Sequence, residues 1–368
     1  MYKRQEEYRV FSEDYNGNSS DYSESTFALN LHAGANLTSF NVLPEDSSIE
    51  NVMASIEGNA TGVIGEGVAA NYMEGSGWMG SLSAIDPNSG YWIMVSEDDV
   101  LLLMGEPTPR DSVYVLEEGA NFISYPYRYP TSIEEALPEG IGCDISGIIG
   151  EGVAASCNDE LGWMGSLSSL EGSFGYWFNA EEAMEITFNG CDEQACASLS
   201  RQSQNLSTVP EGYEYKQSTT QAFYFIESIE NIEAGDWILA YNGDEVIGAR
   251  LWQGSIIDVP AMGSDGNSYS SGYMKAGNTP TFKLLSGSKL TSLEGDIPAW
   301  SDNGLFVVSS LSQVIIPETH SLSTAYPNPF NPTTTLSFAI PVDSEVSLSV
   351  YNLQGREVST LIDANLDA

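Results

Sequence analysis

Apolar and polar residues alternate along this chain in short spans, the period of a strand with one buried face. Phe27-Ala-Leu-Asn-Leu31 and Val113-Tyr-Val115 read as opening strands, with Asn36–Val42 and Asn121–Tyr127 as second strands. Tyr91–Val95, Val100–Met104, Tyr176–Phe178 and Met184–Phe188 read the same way further on. Helical spacing is rare. Ile49, Val52, Met53 and Ile56 fall at i, i+3, i+4, i+7, with Ser47 or Ser48 placed to cap the turn. Ser132, Ile133, Ala136 and Leu137 repeat the pattern until Pro138 stops it.

These patterns occur twice. Gly62-Val-Ile-Gly-Glu-Gly-Val-Ala-Ala70 returns as Gly147-Ile-Ile-Gly-Glu-Gly-Val-Ala-Ala155. Gly77-Trp-Met-Gly-Ser-Leu-Ser83 returns as Gly162-Trp-Met-Gly-Ser-Leu-Ser168, and Gly90-Tyr-Trp92 as Gly175-Tyr-Trp177. Every pair differs by 85 in number, and a single offset shared by several long matches marks tandem copies. Their expected bounds are 25–104 and 112–190. The repetition is lost beyond 190. From 206 to 316, Ala222–Ile226, Trp237–Tyr241, Glu245–Arg250, Thr281–Leu285 and Leu305–Val308 read as strands of a β-sandwich. Asn242-Gly243 is expected to supply the positive φ angles of a type I′ hairpin turn.

Composition narrows the partners. With 12 basic and 52 acidic residues the formal net charge is −40, which excludes a phosphate-binding surface for nucleic acid. It also opposes docking on anionic lipid. No apolar run reaches the roughly 18 residues of a membrane helix, so no membrane insertion is expected. The 42% apolar content is too high for a disordered acidic tail. Met1-Tyr-Lys-Arg-Gln5 is basic, has no apolar stretch after it, and matches a translated transposon-end adapter. Residues 1–24 are therefore set apart as an artefactual start and flexible lead, with a signal peptide expected upstream of the chain.

The C-terminal segment carries the most specific motif. Ala325-Tyr-Pro-Asn-Pro-Phe-Asn-Pro-Thr-Thr-Thr335 leads into Leu336–Ile340, Val346–Tyr351 and the turn Asn352-Leu-Gln-Gly-Arg-Glu-Val358. Proline keeps the lead out of a helix, and Asn-x-x-Gly is turn chemistry. This closely resembles the type A C-terminal sorting domain of the type IX secretion system, itself similar to an immunoglobulin-like hook-capping domain. The motif residues are Pro327, Asn328, Pro329, Phe330, Asn331, Pro332 and Gly355. The resemblance implies export across the outer membrane, with the type IX machinery as partner and an extracellular or surface location. The family's last strands are not matched, so 325–368 is expected to be a truncated copy behind a linker at 317–324. The tandem copies also resemble the "N-L-I-S … G-Y-W" modules of secreted bacterial proteins, through Asn36-Leu-Thr-Ser39 and Asn121-Phe-Ile-Ser124. Asp236-Trp237 and Gly248-Ala-Arg250 resemble a segment that precedes such sorting domains in large secreted proteins.

Candidate chemistry is sparse. Cys143, Cys157, Cys191 and Cys196 allow three pairings. The first two stand where the other copy has Gly58 and Tyr72, so paired gain favours Cys143–Cys157 and, with it, Cys191–Cys196. A zinc site is the alternative, with the wrong spacing. His32 and His320 are the only histidines, and neither a Gly-x-Ser-x-Gly elbow nor a His-Glu-x-x-His occurs. Glu66 and Glu151 sit between glycines in both copies, either as a carboxylate pair for glycoside hydrolysis or as structural groups. Trp92 and Trp177 read as core. Trp78 and Trp163, following a glycine in loop-like sequence, are the ligand-binding candidates, able to stack on sugar rings. Calcium is the one cofactor with a place, at Asp14–Asp21 or Asp265-Gly-Asn267, where plain turns compete. No metal site is otherwise expected.

The expected protein is mainly β and multidomain. It has two tandem small β-rich modules with a short helix each, a β-sandwich, and a partial immunoglobulin-like sorting domain. The expected function is exported, non-catalytic binding or adhesion, with polysaccharide as the ligand class. The rival readings are accessory modules of a hydrolase whose catalytic domain lies upstream, and a structural spacer.

Overall fold

The computed structural model describes residues 25–190, 208–314 and 319–366. The protein is mainly β. One five-stranded antiparallel sheet comprises β1 (Gly34–Ser39), β2 (Ala60–Gly65), β3 (Val68–Met73), β4 (Gly77–Gly80) and β5 (Gly90–Val95), in the order β1-β5-β2-β3-β4. A second comprises β6 (Gly119–Ser124), β7 (Ile145–Gly150), β8 (Val153–Asn158), β9 (Gly162–Gly165) and β10 (Gly175–Ala180), in the order β6-β10-β7-β8-β9. Strand order and register coincide at the sequence offset of 85: Leu37 faces Trp92, and Phe122 faces Trp177.

Each sheet closes on its own core. In the first module, Phe27, Leu29 and Leu31 alternate inward from the strand Ser25–Leu31, which pairs with Asp99–Pro107. The helical turn Ile49–Val52 buries Ile49 and Val52 against the same core. Ser48 stands at its N-cap without a side-chain capping bond to the helix; the Asp46 carboxylate accepts from the Ser48 N–H at 3.0 Å. In the second module the turn Ile133–Ala136 is capped as expected, with Ser132 accepting from the Glu135 N–H, and it ends before Pro138.

The third part is a two-layer sandwich. Its strands are β11 (Gln221–Ile226), β12 (Trp237–Asn242), β13 (Glu245–Leu251), β14 (Ile257–Met262), β15 (Thr281–Ser286), β16 (Lys289–Glu294) and β17 (Leu305–Val308). One layer is β14-β11-β17, with β11 and β17 parallel. The other runs β13-β12-β15-β16 and ends on the short strand Ser312–Gln313. Tyr224, Ile238, Phe282 and Val259 fill the space between the layers. The hairpin turn differs from expectation. Asn242 pairs with Glu245, so the turn is Gly243-Asp244, and only Gly243 takes a positive φ, at 62°. The strand gains one rung, and glycine carries the left-handed conformation alone.

The modules and sandwich form one compact unit through Ser312, and residues from Gln313 onward form another. In the second unit, Ser344–Tyr351 and Glu357–Leu366 make an antiparallel hairpin. Its turn is built as the sequence indicates. The Asn352 side-chain oxygen accepts from Gln354 and Arg356 N–H, and Gly355 takes φ 74°. No helix among the described residues is long and apolar enough to cross a membrane.

Candidate functional site

Trp78 and Trp163 lie in strands, not in loops as their sequence suggests. Each occupies an outer strand, β4 or β9, at the edge of its five-stranded sheet. Trp78 pairs across the ladder with Tyr72, and their rings meet edge to face with centroids 5.6 Å apart. Trp163 pairs with Cys157 at the equivalent position. Both indoles are half-buried, one side packed on the core of their own module.

The Cys143–Cys157 disulfide is present, with Cα atoms 5.4 Å apart. It fastens β8 to the turn before β7, beside Trp163. In the first module, Tyr72 fills the place of Cys157 and donates its hydroxyl to Glu57 at 3.0 Å. The Cys191–Cys196 expectation falls outside the described residues, as does the Asp14–Asp21 calcium expectation.

Glu66 and Glu151 are both engaged in hydrogen bonds between the modules. Each reaches from its Gly-Glu-Gly turn into the other module. Glu66 accepts from the Phe122 N–H at 2.8 Å, and Glu151 from the Leu37 N–H at 2.8 Å. The main-chain bonds Ser39 N–H to Ser173 O and Ser124 N–H to Asn88 O, both 3.0 Å, obey the same exchange. The seam therefore has the form of an isologous interface, in which residue i of one half meets j of the other and the reverse. Leu37, Trp92 and Phe122 are buried there, with Trp177 stacked on Phe122 at 4.4 Å. Trp92 is a core residue of the seam and not of its copy alone, while Trp177 is half-buried between the seam and the sandwich. His32 breaks the symmetry. Its Nε2 lies 2.7 Å from Glu151 Oε1, while residue 117, its counterpart by number, is Glu. Sequence reasoning missed this pairing because the partners are 119 positions apart.

The sandwich grips the second module at the same Gly-Glu-Gly turn. Gln221 Nε2 donates to Gly150 O at 2.9 Å, and Arg250 Nη2 donates to Gly152 O at 2.8 Å. Asp258 Oδ2 accepts from the Ala154 N–H at 3.2 Å and from the Ser166 hydroxyl. Arg250 and Asp258 also pair with each other at 3.1 Å, both buried. Burial pushes the Asp258 carboxyl above its ordinary value, against the pull of Arg250 and Ser166. Phe223, Phe225 and Leu305 cover Ile149, Ala154 and Trp177 beside these polar bonds. Arg250 thus accounts for the Gly248-Ala-Arg250 motif, and Gly248 leaves no room for a Cβ against Pro260 O.

Asp265 is engaged by protein donors. It accepts from Tyr269 and Ser270 hydroxyls and from the Asn267 N–H. Burial works to raise its pKa, but these hydrogen bonds outweigh it and hold the carboxyl below its ordinary value. Among the described residues no group of three or more His, Cys, Asp or Glu is placed to hold a metal ion.

The sorting-motif residues Pro327, Asn328, Pro329, Phe330, Asn331 and Pro332 form an exposed loop. Tyr326 and Thr335 exchange main-chain bonds of 3.1 and 2.9 Å across its base. With this geometry in view, residues 324–367 match the family described as the secretion system C-terminal sorting domain. The chain is thus a β-rich protein carrying an export address, delivered by type IX secretion to the cell surface or the extracellular space. The type IX machinery is its implied partner. Comparison with curated proteins gives no match.

Proposed function

We propose that the exported body is a non-catalytic binding element, with polysaccharide as its ligand class. The Tyr72–Trp78 pair on an outer strand carries this reading, because a half-exposed indole held by a second ring offers a rigid apolar face to a sugar. The engagement of Glu66 and Glu151 in the module seam supports it from the other side, since both carboxylates already accept backbone N–H bonds. The test is retention of the full chain on a panel of immobilised polysaccharides, with and without calcium. Selective retention, weakened about tenfold by Trp78→Ala or Trp163→Ala, is the expected result. Retention untouched by either substitution moves the site elsewhere. No retention on any matrix leaves the spacer reading, which the interlocked modules favour.

A further inference from the structure

The docking surface of the sandwich on the second module has an open twin on the first. Every group the sandwich grips recurs at the offset of 85: Gly150 and Gly152 as Gly65 and Gly67, Ala154 as Ala69, Ser166 as Ser81. The surroundings differ in coverage. Ile149 and Ala154 are buried beneath Phe223, Phe225 and Leu305, whereas their counterparts Ile64 and Ala69 are half-exposed. Gly67 and Ser81 are exposed, and Met79 beside them is 53% exposed. The hydrogen bonding has turned inward to match. The Ala69 N–H donates to the Ser81 hydroxyl at 3.2 Å, where the Ala154 N–H and Ser166 hydroxyl of the second module both donate to Asp258.

We infer that this face of the first module is a docking site for a β-sandwich of the same recognition chemistry, carried by another polypeptide. That partner presents a carboxylate to the Ala69 N–H and Ser81 hydroxyl, a guanidinium to the Gly67 carbonyl, and aromatic side chains over Ile64 and Ala69. The inference rests on continuity with an interface already formed in the same molecule. A frame of the same strand register, carrying the same small residues, accepts an Asp–Arg pair in one module and leaves Gly67, Ala69 and Ser81 at least half-exposed in the other. The likeness ends at Gly62, which is buried with the Asn71 side chain 3.0 Å from where a Cβ would stand, whereas its counterpart Gly147 meets Leu305 of the sandwich.

The chain's own sandwich is the probe. In the full chain, Ala154→Glu sets a carboxylate against Asp258 and releases the sandwich from the second module. Ala69→Glu in the same chain denies it the first. Ser166→Glu with Ser81→Glu is the alternative pair, and the donor used is the one whose sandwich melts as a separate transition. Mixed with the unaltered chain, whose first module is open, the donor should form a 1:1 complex in sedimentation velocity. An unaltered chain given only Ala69→Glu should bind at least tenfold more weakly, at about 1.4 kcal/mol per tenfold. No complex with the unaltered chain overturns the proposal, as does equal binding to the Ala69→Glu acceptor. Self-association of the unaltered chain that Ala69→Glu abolishes also overturns it, by making a second copy the occupant.

Discussion

Glu66 and Glu151 occupy equivalent turns, yet their removal should differ in cost. Glu151→Ala leaves the buried Leu37 N–H without its acceptor and strips His32 of its carboxylate. A loss of about 1–3 kcal/mol is expected, measured by urea unfolding. Glu66→Ala loses one bond to Phe122 and should cost less. Asp265 sets an acid limit on the sandwich. Its folded pKa lies below the ordinary 3.8, so its contribution is complete above about pH 4 and fades as pH falls through the folded value. Asp265→Asn should flatten the stability–pH curve below pH 4, read from thermal melts, and leave its shape at neutral pH unchanged. Burial pushes the Tyr114 hydroxyl up to about 12, so it stays protonated through that range and keeps its bond with Ser124.

Two elements are tied by bonds that single substitutions can test. The Cys143–Cys157 bridge joins residues 14 positions apart. Replacing both with Ser should lower stability by about 3 kcal/mol through the freed unfolded chain, seen as a lower melting temperature matching that of the reduced protein. The Arg250–Asp258 pair holds β13 and β14 of the sandwich against β8 of the second module. Arg250→Leu leaves a buried carboxylate beside Ala154 and should cost about 3–5 kcal/mol. Arg250→Leu with Asp258→Leu should cost less than Arg250→Leu alone, because the stranded charge goes with its partner. A denaturation cycle over the four proteins measures that difference.

At the scale of the molecule, export and assembly are separate properties. The sorting domain at 324–367 gives the address. Expressed behind a signal peptide in a type IX-competent cell, a chain lacking those residues should stay inside the cell envelope, while the one that keeps them reaches the surface or medium; fractionation and immunoblotting distinguish the two. The formal charge of −40 bears on the exported state, since self-repulsion opposes non-specific association of such chains. The seam between modules is stabilised by burial of Leu37, Trp92 and Phe122, roughly 1.5–3 kcal/mol for each apolar side chain fully removed from water. The sandwich adds Ile149 and Ala154 to the buried set, so loosening it should also expose the second module.

Local pattern by itself determined most strands, though not the glycine-flanked ones that carry Trp78 and Trp163. Alternation placed Phe27, Leu29 and Leu31 inward, and the Asn-x-x-Gly signal fixed the turn at Gly355, because both are contacts within a few residues. The paired gain of Cys143 and Cys157 exposed the disulfide for a similar reason, as positions missing together from the other copy. The export address was legible because Pro327–Pro332 is a contiguous motif. Tertiary structure alone decided what the repeated Gly-Glu-Gly turn does. Its glutamates act across 56 and 114 positions, a range over which spacing carries no signal. It also separated identical residues by their surroundings, burying Ala154 under Phe223 and Phe225 while leaving Ala69 half-exposed. Two copies of one motif read alike in sequence; which of them is covered depends on the third domain, and that is a matter of packing.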